Sequence, residues 1–484
     1  MMTREKELTF PQSFGITRST KGKRTLDQLI VVALLACLIL TSPIFTLASA
    51  ASSEPSSNHS GSAALQAQQY DLSVPSKYQS EYATLHGILN SFNDSLGSYP
   101  TSKNSLTFAT ELLPANGNRG PALFQSTNLA SVARNLDTLH AMGVQGVTIA
   151  IGYPLLDPTF PNSAQYLSYF EQVVSMVHSR GMKALVESQI LFANTPYSPL
   201  TYDWATLPYS QYVTNHIAQD QLIIDQIHPD YLEIGVEADT EAYLTGYSQL
   251  NTASGWTAYI EQLLSSLNKG NTRLVAGAGT WLGTSFLTGF ADNPKLDFIS
   301  THVYPIYGNN LQTLLQIGEI AQENNKRLVI DETWQEKVLQ PATGHGAGTG
   351  IGGPLVTQQD AFAFWSPMDS EFLGLMAKFG QVYPVEFLSP FSEQYFFAYL
   401  NWTPSLDSQS YFQLESQLDP VFAENMASNA LTPTGSYYSA LAHGTPLPVP
   451  EFPSSLLGLT ISMIALAVLL MQTRKTRARL TRMN

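Results

Sequence analysis

The sequence predicts an α/β protein of the (β/α)8 TIM barrel class, with a signal or anchor segment before the barrel and a transmembrane helix after it. Three observations predict the barrel. The 484 residues suffice for one large core, eight β-rich runs alternate with amphipathic helical stretches over roughly 300 residues, and no phosphate-binding glycine loop follows the first run. A doubly wound open sheet is the alternative that the same alternation allows.

The eight runs are short and rich in Val, Ile, Leu, Phe and Tyr, a composition that favours strands. Several of the helical stretches between them end in Gly or Asn followed by Lys or Arg, a helix-stop signal that leads into the next strand. Another helix is predicted over 80–96, before the first strand. The predicted strands are 105–112, 144–153, 182–189, 230–237, 272–279, 296–304, 326–332 and 394–402.

Membrane signals flank the barrel. The stretch LIVVALLACLILTSPIFTLASA follows a basic leader, as in a signal peptide or an uncleaved anchor. Near the other end, FPSSLLGLTISMIALAVLLMQT has no charge and precedes RKTRARLTR, which predicts a membrane-spanning helix with its basic tail inside. The barrel is therefore expected on the extracellular side of the cell membrane, anchored to it.

The predicted segments are 1–50 basic leader with signal peptide or anchor, 51–75 Ser-rich linker, 76–440 barrel with an N-terminal helical extension, 441–453 Pro-rich linker, 454–473 transmembrane helix and 474–484 cytoplasmic tail.

Charge and cysteine content exclude several function classes. The formal net charge is −14, and residues 51–454 hold 13 Lys and Arg against 35 Asp and Glu, a balance of −22. Such an acidic surface argues against nucleic acid as a partner, because its binding depends on cationic side chains. The only cysteine, Cys37, lies in the N-terminal apolar run. The barrel region therefore has no disulfide, thiolate metal site or cysteine nucleophile.

Ionisable residues stand where several predicted strands end, and the active site of this fold is built at those ends. Glu187 ends the third strand, Glu237 the fourth and Glu332 the seventh, while the sixth carries His302 and Tyr304. In the fourth strand the acidic positions alternate with Leu, Ile and Val, so Glu237 is expected to face the barrel mouth. Two converging carboxylates fit glycoside hydrolysis, which needs an acid and a carboxylate nucleophile or base.

Flat aromatic side chains at or just past strand ends can stack on sugar rings, although a ring there can equally cap the barrel core. The candidates for this role are Tyr153, Trp281, Tyr304, Trp334 and Trp402. No metal site or cofactor is predicted, because the nine histidines are scattered and show no H-x-H or H-E-x-x-H spacing. The glycine-rich loop 342–353 contains G-x-G-x-x-G but does not directly follow a strand, and no G-x-S-x-G elbow occurs.

Over about 105–402 the chain resembles the clan A glycoside hydrolases, the 4/7 superfamily of (β/α)8 barrels. LEIGVEADT resembles their strand-four motif and implies that Glu237 is the acid/base. LVIDETW resembles their strand-seven motif and implies that Glu332 is the nucleophile. THVYPIY resembles the strand-six segment whose His and Tyr line the subsite, here His302 and Tyr304, and YLNW offers Trp402 as the strand-eight sugar platform.

Two family positions differ in this chain. Val236 stands where the family usually has an Asn that binds the sugar 2-hydroxyl, and TIAIGYPLL lacks the Arg that many members have near the end of strand two. Glu187 or Asp239 is the candidate for the missing polar contacts. A catalytically inactive barrel that binds glycans, or a structural cell-surface barrel, is therefore the alternative to an enzyme.

The stretch PLPVPEFPSS resembles the Pro-Glu-Phe C-terminal sorting signal of archaeal surface proteins, in which the motif, an apolar helix and a basic tail follow one another. The resemblance covers about 35 residues. It implies display at the cell surface and a sorting peptidase as a partner, in addition to a carbohydrate substrate and the membrane.

Overall fold

The computed structural model of the protein describes residues 69–99, 105–304, 306–337, 360–391 and 393–445. The chain divides into a unit of residues 1–66, which lies outside the described residues, and a unit of residues 67–484. Everything below concerns the second unit. The predicted leader, the glycine-rich loop 342–353, the C-terminal helix and its basic tail also lie outside the described residues.

The predicted barrel is confirmed. Eight parallel strands close in chain order, with β1 paired to both β2 and β8, so the open-sheet alternative is wrong. The strands are β1 Thr107–Glu111, β2 Gly146–Ala150, β3 Lys183–Glu187, β4 Tyr231–Glu233, β5 Arg273–Gly277, β6 Phe298–Ser300, β7 Arg327–Thr333 and β8 Val385–Pro390.

Ten α-helices lie in the described residues, most of them between consecutive strands. The helix predicted over 80–96 is present as Gln79–Gly97 and packs through Tyr82, Leu85 and Leu89. The helices are α1 Gln79–Gly97, α2 Asn128–Ala141, α3 Ser163–Ser179, α4 Tyr209–Leu222, α5 Ala238–Thr245, α6 Ala253–Ser266, α7 Asn310–Glu323, α8 Ser366–Val382, α9 Tyr411–Ser428 and α10 Pro433–Ala442.

The eighth predicted strand was wrong. Residues 394–402 do not form β8. They begin in a short 3-10 helix, Glu393–Phe396, and Leu400 makes only an isolated bridge to Phe362. The run is apolar because it is buried beneath α10, where the Phe396 and Tyr438 rings stack at 4.7 Å. A short continuous apolar run does not distinguish a buried strand from another buried segment.

The barrel interior changes from apolar to polar along its axis. Its apolar layer contains Tyr231 and Phe387, whose rings lie 5.5 Å apart, together with smaller side chains. Beyond that layer toward the carboxyl ends of the strands, Thr148 Oγ1 donates to Ser389 Oγ at 2.8 Å. The strand ends then bring carboxyl groups together, since Glu187 pairs in register with Glu233. The polar end of the interior is therefore the end at which this fold places its sites.

Neither predicted membrane segment can be compared with the structure, because both fall outside the described residues. Within the described ranges, none of the helices combines the length and the apolar character that a membrane crossing requires.

The buried Glu393 makes the stability of the barrel depend on pH. It follows β8, is fully buried, and accepts a hydrogen bond from Asn135 Nδ2 at 2.9 Å. Burial raises the pKa of its carboxyl from 4.5 to about 8, against the opposing effect of the bonds from Asn135 and the Leu113 backbone. Between these two values the folded chain holds a proton that the unfolded chain has lost. The stability from Glu393 is therefore complete below pH 4.5 and is lost as the pH rises toward 8.

We predict that Glu393→Gln weakens this pH dependence. On going from pH 5 to pH 8, the free energy of unfolding should fall less in the variant than in the natural protein, by on the order of a few kcal/mol. Urea unfolding at the two pH values measures the difference, and Glu424→Gln on an exposed face of α9 is the matched control. An identical pH dependence in the natural protein and Glu393→Gln would show that Glu393 ionises normally in the fold.

Candidate active site

Glu237 lies in the turn between β4 and α5, and its side chain is 15% exposed. The chain leading to it continues to pair with the β5 side after β4 ends, because Ile234 N–H donates to Val275 O and Gly279 N–H donates to Val236 O. The Val236 side chain is fully buried and is not part of the cavity lining. The position where the family usually has an Asn is therefore occupied by an apolar side chain that is closed to a substrate.

Glu332 lies on β7, and its side chain is also 15% exposed. The neighbouring β6 segment holds it in place: Val303 N–H donates to the Glu332 carbonyl at 3.1 Å, and the Tyr304 hydroxyl donates to Glu332 Oε2. The Tyr304 side chain therefore orients one carboxylate oxygen of Glu332. This contact links two residues that the sequence placed at the ends of different strands.

His302 brings the two glutamates together. Its Nδ1 lies 2.9 Å from Glu237 Oε1 and 3.4 Å from Glu332 Oε2, while Nε2 lies 3.5 Å from Asp331. Because both oxygens contact the same nitrogen, the distance between them is at most the sum of the two contacts, 6.3 Å. Retaining glycosidases have carboxyl separations of about 5–5.5 Å, and inverting ones about 6.5–9.5 Å.

The charge on His302 is fixed by these carboxylates. Burial alone favours the neutral ring, but Glu332, Asp331 and Glu237 outweigh it and raise the pKa of His302 to about 10. At neutral pH the ring is therefore a cation with a proton on each nitrogen, and its Nδ1–H donates to Glu237 Oε1. Burial is also the largest influence on Glu332 and raises the pKa of its carboxyl; repulsion by Glu237 adds to this, and His302 and Tyr304 oppose it. Mutual repulsion favours one ionised and one protonated carboxyl in such a pair.

Further carboxyl groups surround this pair. Glu187 is 4% exposed, and burial together with repulsion by Glu332 and Asp331 raises its pKa well above the ordinary range. Glu233 lies deeper, fully buried, and accepts hydrogen bonds of 3.1 Å from Ser300 Oγ and the Gly235 N–H. Burial likewise raises the pKa of Asp331 to about 7. Burial therefore shifts this cluster toward its protonated form.

A cavity of about 760 Å³ opens over the cluster and contains most of the predicted site residues. The lining includes Glu187, Glu237, His302, Tyr304, Glu332, Trp281 and Trp334. Asp239 is not part of this lining but holds one of its rings, since Trp281 Nε1 donates to Asp239 Oδ2 at 3.0 Å. Burial, and then Glu237, raises the pKa of Asp239 to about 6.

Two predicted sugar-binding aromatics lie elsewhere. Tyr153 is fully buried, its ring stacks on His216 at 5.3 Å, and it is not part of the cavity lining. Trp402 was placed at the end of a strand that is not β8, and its Nε1 donates to Asp407 Oδ1 at 2.9 Å, away from the cavity. The structure therefore brings Trp281 and Trp334 to the cavity but not these two rings.

Sequence reasoning missed the far side of the cavity. Its lining there comes from the segment after β1 and from α2 and α9, including Arg119, Arg134, Tyr411, Glu415 and Asp419. These residues lie on helices and loops, belong to no recognised motif and do not stand at the end of a strand. No local sequence signal therefore identified them as cavity residues. The sequence placed Glu187, His302 and Glu332 in one site but did not predict them as possible metal ligands, although one potential ligand atom of each lies within 4.8 Å of the others. Here His302 and Tyr304 already hydrogen-bond the glutamates.

Comparison with known proteins adds solved structures only, since no family model and no curated protein matches the chain. An endo-beta-1,4-mannanase from Thermotoga petrophila is 12% identical over 67% of this chain and 77% of its own, with a TM-score of 0.38. A GH5_18 protein from Bifidobacterium longum subsp. infantis is 12% identical over 71% and 79%, with a TM-score of 0.45. A GH5_18 protein from Streptomyces cattleya, in complex with GlcNAc, is 12% identical over 73% and 83%, with a TM-score of 0.43. At these values the fold assignment rests on the closed barrel itself.

Proposed function

We propose that the protein is a retaining glycoside hydrolase that cleaves β-glycosidic bonds in a poly- or oligosaccharide through Glu237 and Glu332. The observation that carries this proposal is the shared contact of the two carboxylates with His302 Nδ1. It limits the distance between the contacting oxygens to 6.3 Å, which is compatible with the closely spaced carboxyl groups of retaining enzymes. Both carboxyl groups are partly exposed in one cavity, where a glycosidic bond can reach them.

The first half of the reaction forms a covalent intermediate. Glu332 attacks the anomeric carbon while Glu237 gives its proton to the leaving oxygen, so that the glycosidic C–O bond breaks as the bond to Glu332 forms. In the second half, Glu237 takes a proton from water, and the resulting oxygen nucleophile displaces Glu332 from the anomeric carbon. Glu237 gives up a proton in the first half and regains one from water in the second half. The sugar keeps its original anomeric configuration.

The contacts of Glu332 support its role as the nucleophile. The Tyr304 hydroxyl donates a hydrogen bond to Glu332, and the His302 cation lies 3.4 Å from the same carboxylate oxygen, so both lower the pKa of Glu332 against the larger raising effect of burial. The acid step requires a proton on Glu237 when the substrate is bound. Trp281, which is partly exposed in the same cavity, offers a flat apolar surface for a sugar ring, whereas Trp334 is 3% exposed and its ring stacks on Tyr395.

We further propose that the barrel is displayed outside the cell, held by the apolar segment 454–473. The proposal rests on the basic residues that follow this segment and on the Pro-Glu-Phe motif before it. Full-length protein should sediment with membranes and be accessible to protease added to intact cells, whereas a chain ending at residue 445 that also carries a cleavable signal peptide in place of residues 1–50 should be released. Recovery of the full-length protein in the soluble fraction would contradict the anchor.

The test of the enzymatic proposal measures whether the protein releases sugar from β-glycosides. Full-length protein is incubated with a set of aryl β-glycosides and β-linked polysaccharides, including glucans, mannans and xylans, and released sugar is measured. The double variant Glu237→Gln/Glu332→Gln is the background control. Release above that background on at least one substrate is the expected result.

The alternative, a glycan-binding barrel without turnover, is favoured by one observation: the apolar, closed Val236 position beside Glu237. Sugar binding without any release, even on prolonged incubation, would support this alternative and contradict the hydrolase.

A further inference from the structure

Among the described Lys and Arg residues, two arginines differ from the others because their side chains form no ion pair and donate no hydrogen bond. Each described lysine, and each of Arg180, Arg273 and Arg327, forms an ion pair or donates a hydrogen bond through its side chain. Arg119 and Arg134 do neither with any described residue, and both line the cavity that holds Glu237 and Glu332. The two guanidinium groups that have no partner among the described residues therefore line the same cavity.

Both arginines lie at the end of the cavity formed by α2 and α9. Arg134 is on α2, one turn before Thr138, whose Oγ1 donates to Met426 O of α9 at 3.3 Å. Arg119 is close enough to Asp419 of α9 for its charge to lower the pKa of that carboxyl, against the larger raising effect of burial. We call this α2–α9 side, with Arg119 and Arg134, the arginine end.

The backbone that carries Arg119 is held in position. Asn118 Oδ1 accepts a hydrogen bond from Phe192 N–H at 2.8 Å, which ties the segment to the loop after β3. Gly120 follows with a φ of 54°, and a Cβ there would lie 2.9 Å from Leu200 Cγ, so only glycine fits without strain. The Arg119 side chain therefore extends from a defined point at the edge of the cavity.

Apart from His302, the ionisable side chains of the remaining lining are mostly carboxyl groups. Arg119 and Arg134 are its only Lys or Arg side chains among the described residues, and the acidic ones are Glu111, Glu187, Glu237, Glu332, Glu336, Asp360, Glu415 and Asp419. An anionic sugar would be repelled at the glutamate pair, but it would be attracted at the arginine end. Guanidinium groups bind carboxylates and sulfates through paired hydrogen bonds, so an unpaired arginine in a sugar cavity is suited to an anionic substituent.

We infer that the glycan bound by this cavity carries a carboxylate or sulfate group on the sugar unit at the arginine end, where Arg119 and Arg134 bind it. The inference rests on the proposed glycoside hydrolase function and names its substrate class. The unit at the glutamate pair is neutral, and the anionic unit is held away from the bond that is cleaved. Both anion types share the same recognition chemistry, and separate probes distinguish them.

The test uses the full-length Glu332→Gln variant, so that probes bind without being cleaved. Probes are β-1,4-linked gluco- and manno-hexaoses in three forms: neutral, with a terminal unit oxidised at C6 to the carboxylate, and with that unit sulfated at O6. Calorimetry measures the affinity for each. At least one anionic form should bind about tenfold or more tightly than its neutral parent, because charge-assisted hydrogen bonds are the stronger class. This preference should decrease as the salt concentration rises.

Arginine substitutions added to this variant assign the effect. Arg119→Gln and Arg134→Gln should each lower the affinity for the anionic form more than the affinity for its neutral parent, and so remove most of the preference. Arg273→Gln is the matched control, because that guanidinium is 61% exposed at the start of β5 and contacts Asp297. Equal affinity for neutral and anionic probes would overturn the inference while the hydrolase proposal stands. Failure of every probe to bind, together with no turnover on the glycoside set, would overturn both.

Discussion

Glu332→Gln is expected to lower kcat on the best aryl β-glycoside by about 10⁴-fold or more, as loss of a covalent nucleophile does in other enzymes. An amide cannot attack the anomeric carbon, but it has nearly the volume of the carboxyl group. Its oxygen still accepts the hydrogen bond that Tyr304 now gives to Glu332 Oε2. The loss should therefore come from the chemistry, and the thermal unfolding midpoint should change little.

The control for this substitution is Glu336→Gln, since Glu336 lines the same cavity and follows β7 a few residues later. Steady-state hydrolysis and a thermal unfolding scan are measured for both variants. If Glu332→Gln retained natural activity, or if both variants lost it to the same extent, Glu332 would not be the nucleophile.

Glu237→Ala is expected to affect substrates according to their leaving group. Loss of a general acid should lower kcat about 10²–10⁴-fold on substrates whose leaving oxygen needs a proton. Aryl glycosides with strongly activated leaving groups should still form the intermediate on Glu332, which then persists because no base activates water. Added azide, which needs no base, should enter the space left by the carboxyl group, release the intermediate and form a β-glycosyl azide.

Leaving-group dependence and azide rescue separate an acid/base role from a structural one. The His302 contact at 2.9 Å is lost in Glu237→Ala, so a general distortion of the site is the competing explanation. Distortion would lower the rates on all leaving groups alike and would not respond to azide. Such a uniform loss would contradict the role proposed for Glu237.

Much of the barrel was predictable because its strands and helices follow local rules. Alternation of β-rich runs with amphipathic helices placed seven strands within a few residues of their observed bounds, and the helix over 80–96 was found as Gln79–Gly97. The eighth strand was missed because its identity depends on tertiary packing. Val385–Pro390 is a six-residue segment, while the longer apolar run after it is buried under α10 rather than paired in the barrel.

The centre of the candidate site was predictable for a different reason. Strand ends in a closed parallel barrel converge, so the residues that end β4 and β7 and follow β6 had to lie near one another. Glu237, His302 and Glu332 do so. Tyr153 and Trp402 lie outside the cavity lining because an aromatic residue near a strand end can equally pack inward. Arg134 reaches the cavity through the packing of α2 on α9, and Arg119 through the segment after β1 that Asn118 ties to the loop after β3; the sequence pattern encodes neither contact locally.

If Glu237 and Glu332 act as a retaining pair, the released sugar keeps the anomeric configuration of the substrate, and this configuration tests their roles. Proton NMR during hydrolysis of an aryl β-glycoside measures it most directly, because the α and β anomers of the released sugar give separate signals before they interconvert. The two-step reaction at Glu332 predicts that the β anomer appears first and that the α anomer follows only as the sugar equilibrates. If the α anomer appeared first, the reaction would be a single displacement by water, and Glu332 would not form a covalent intermediate.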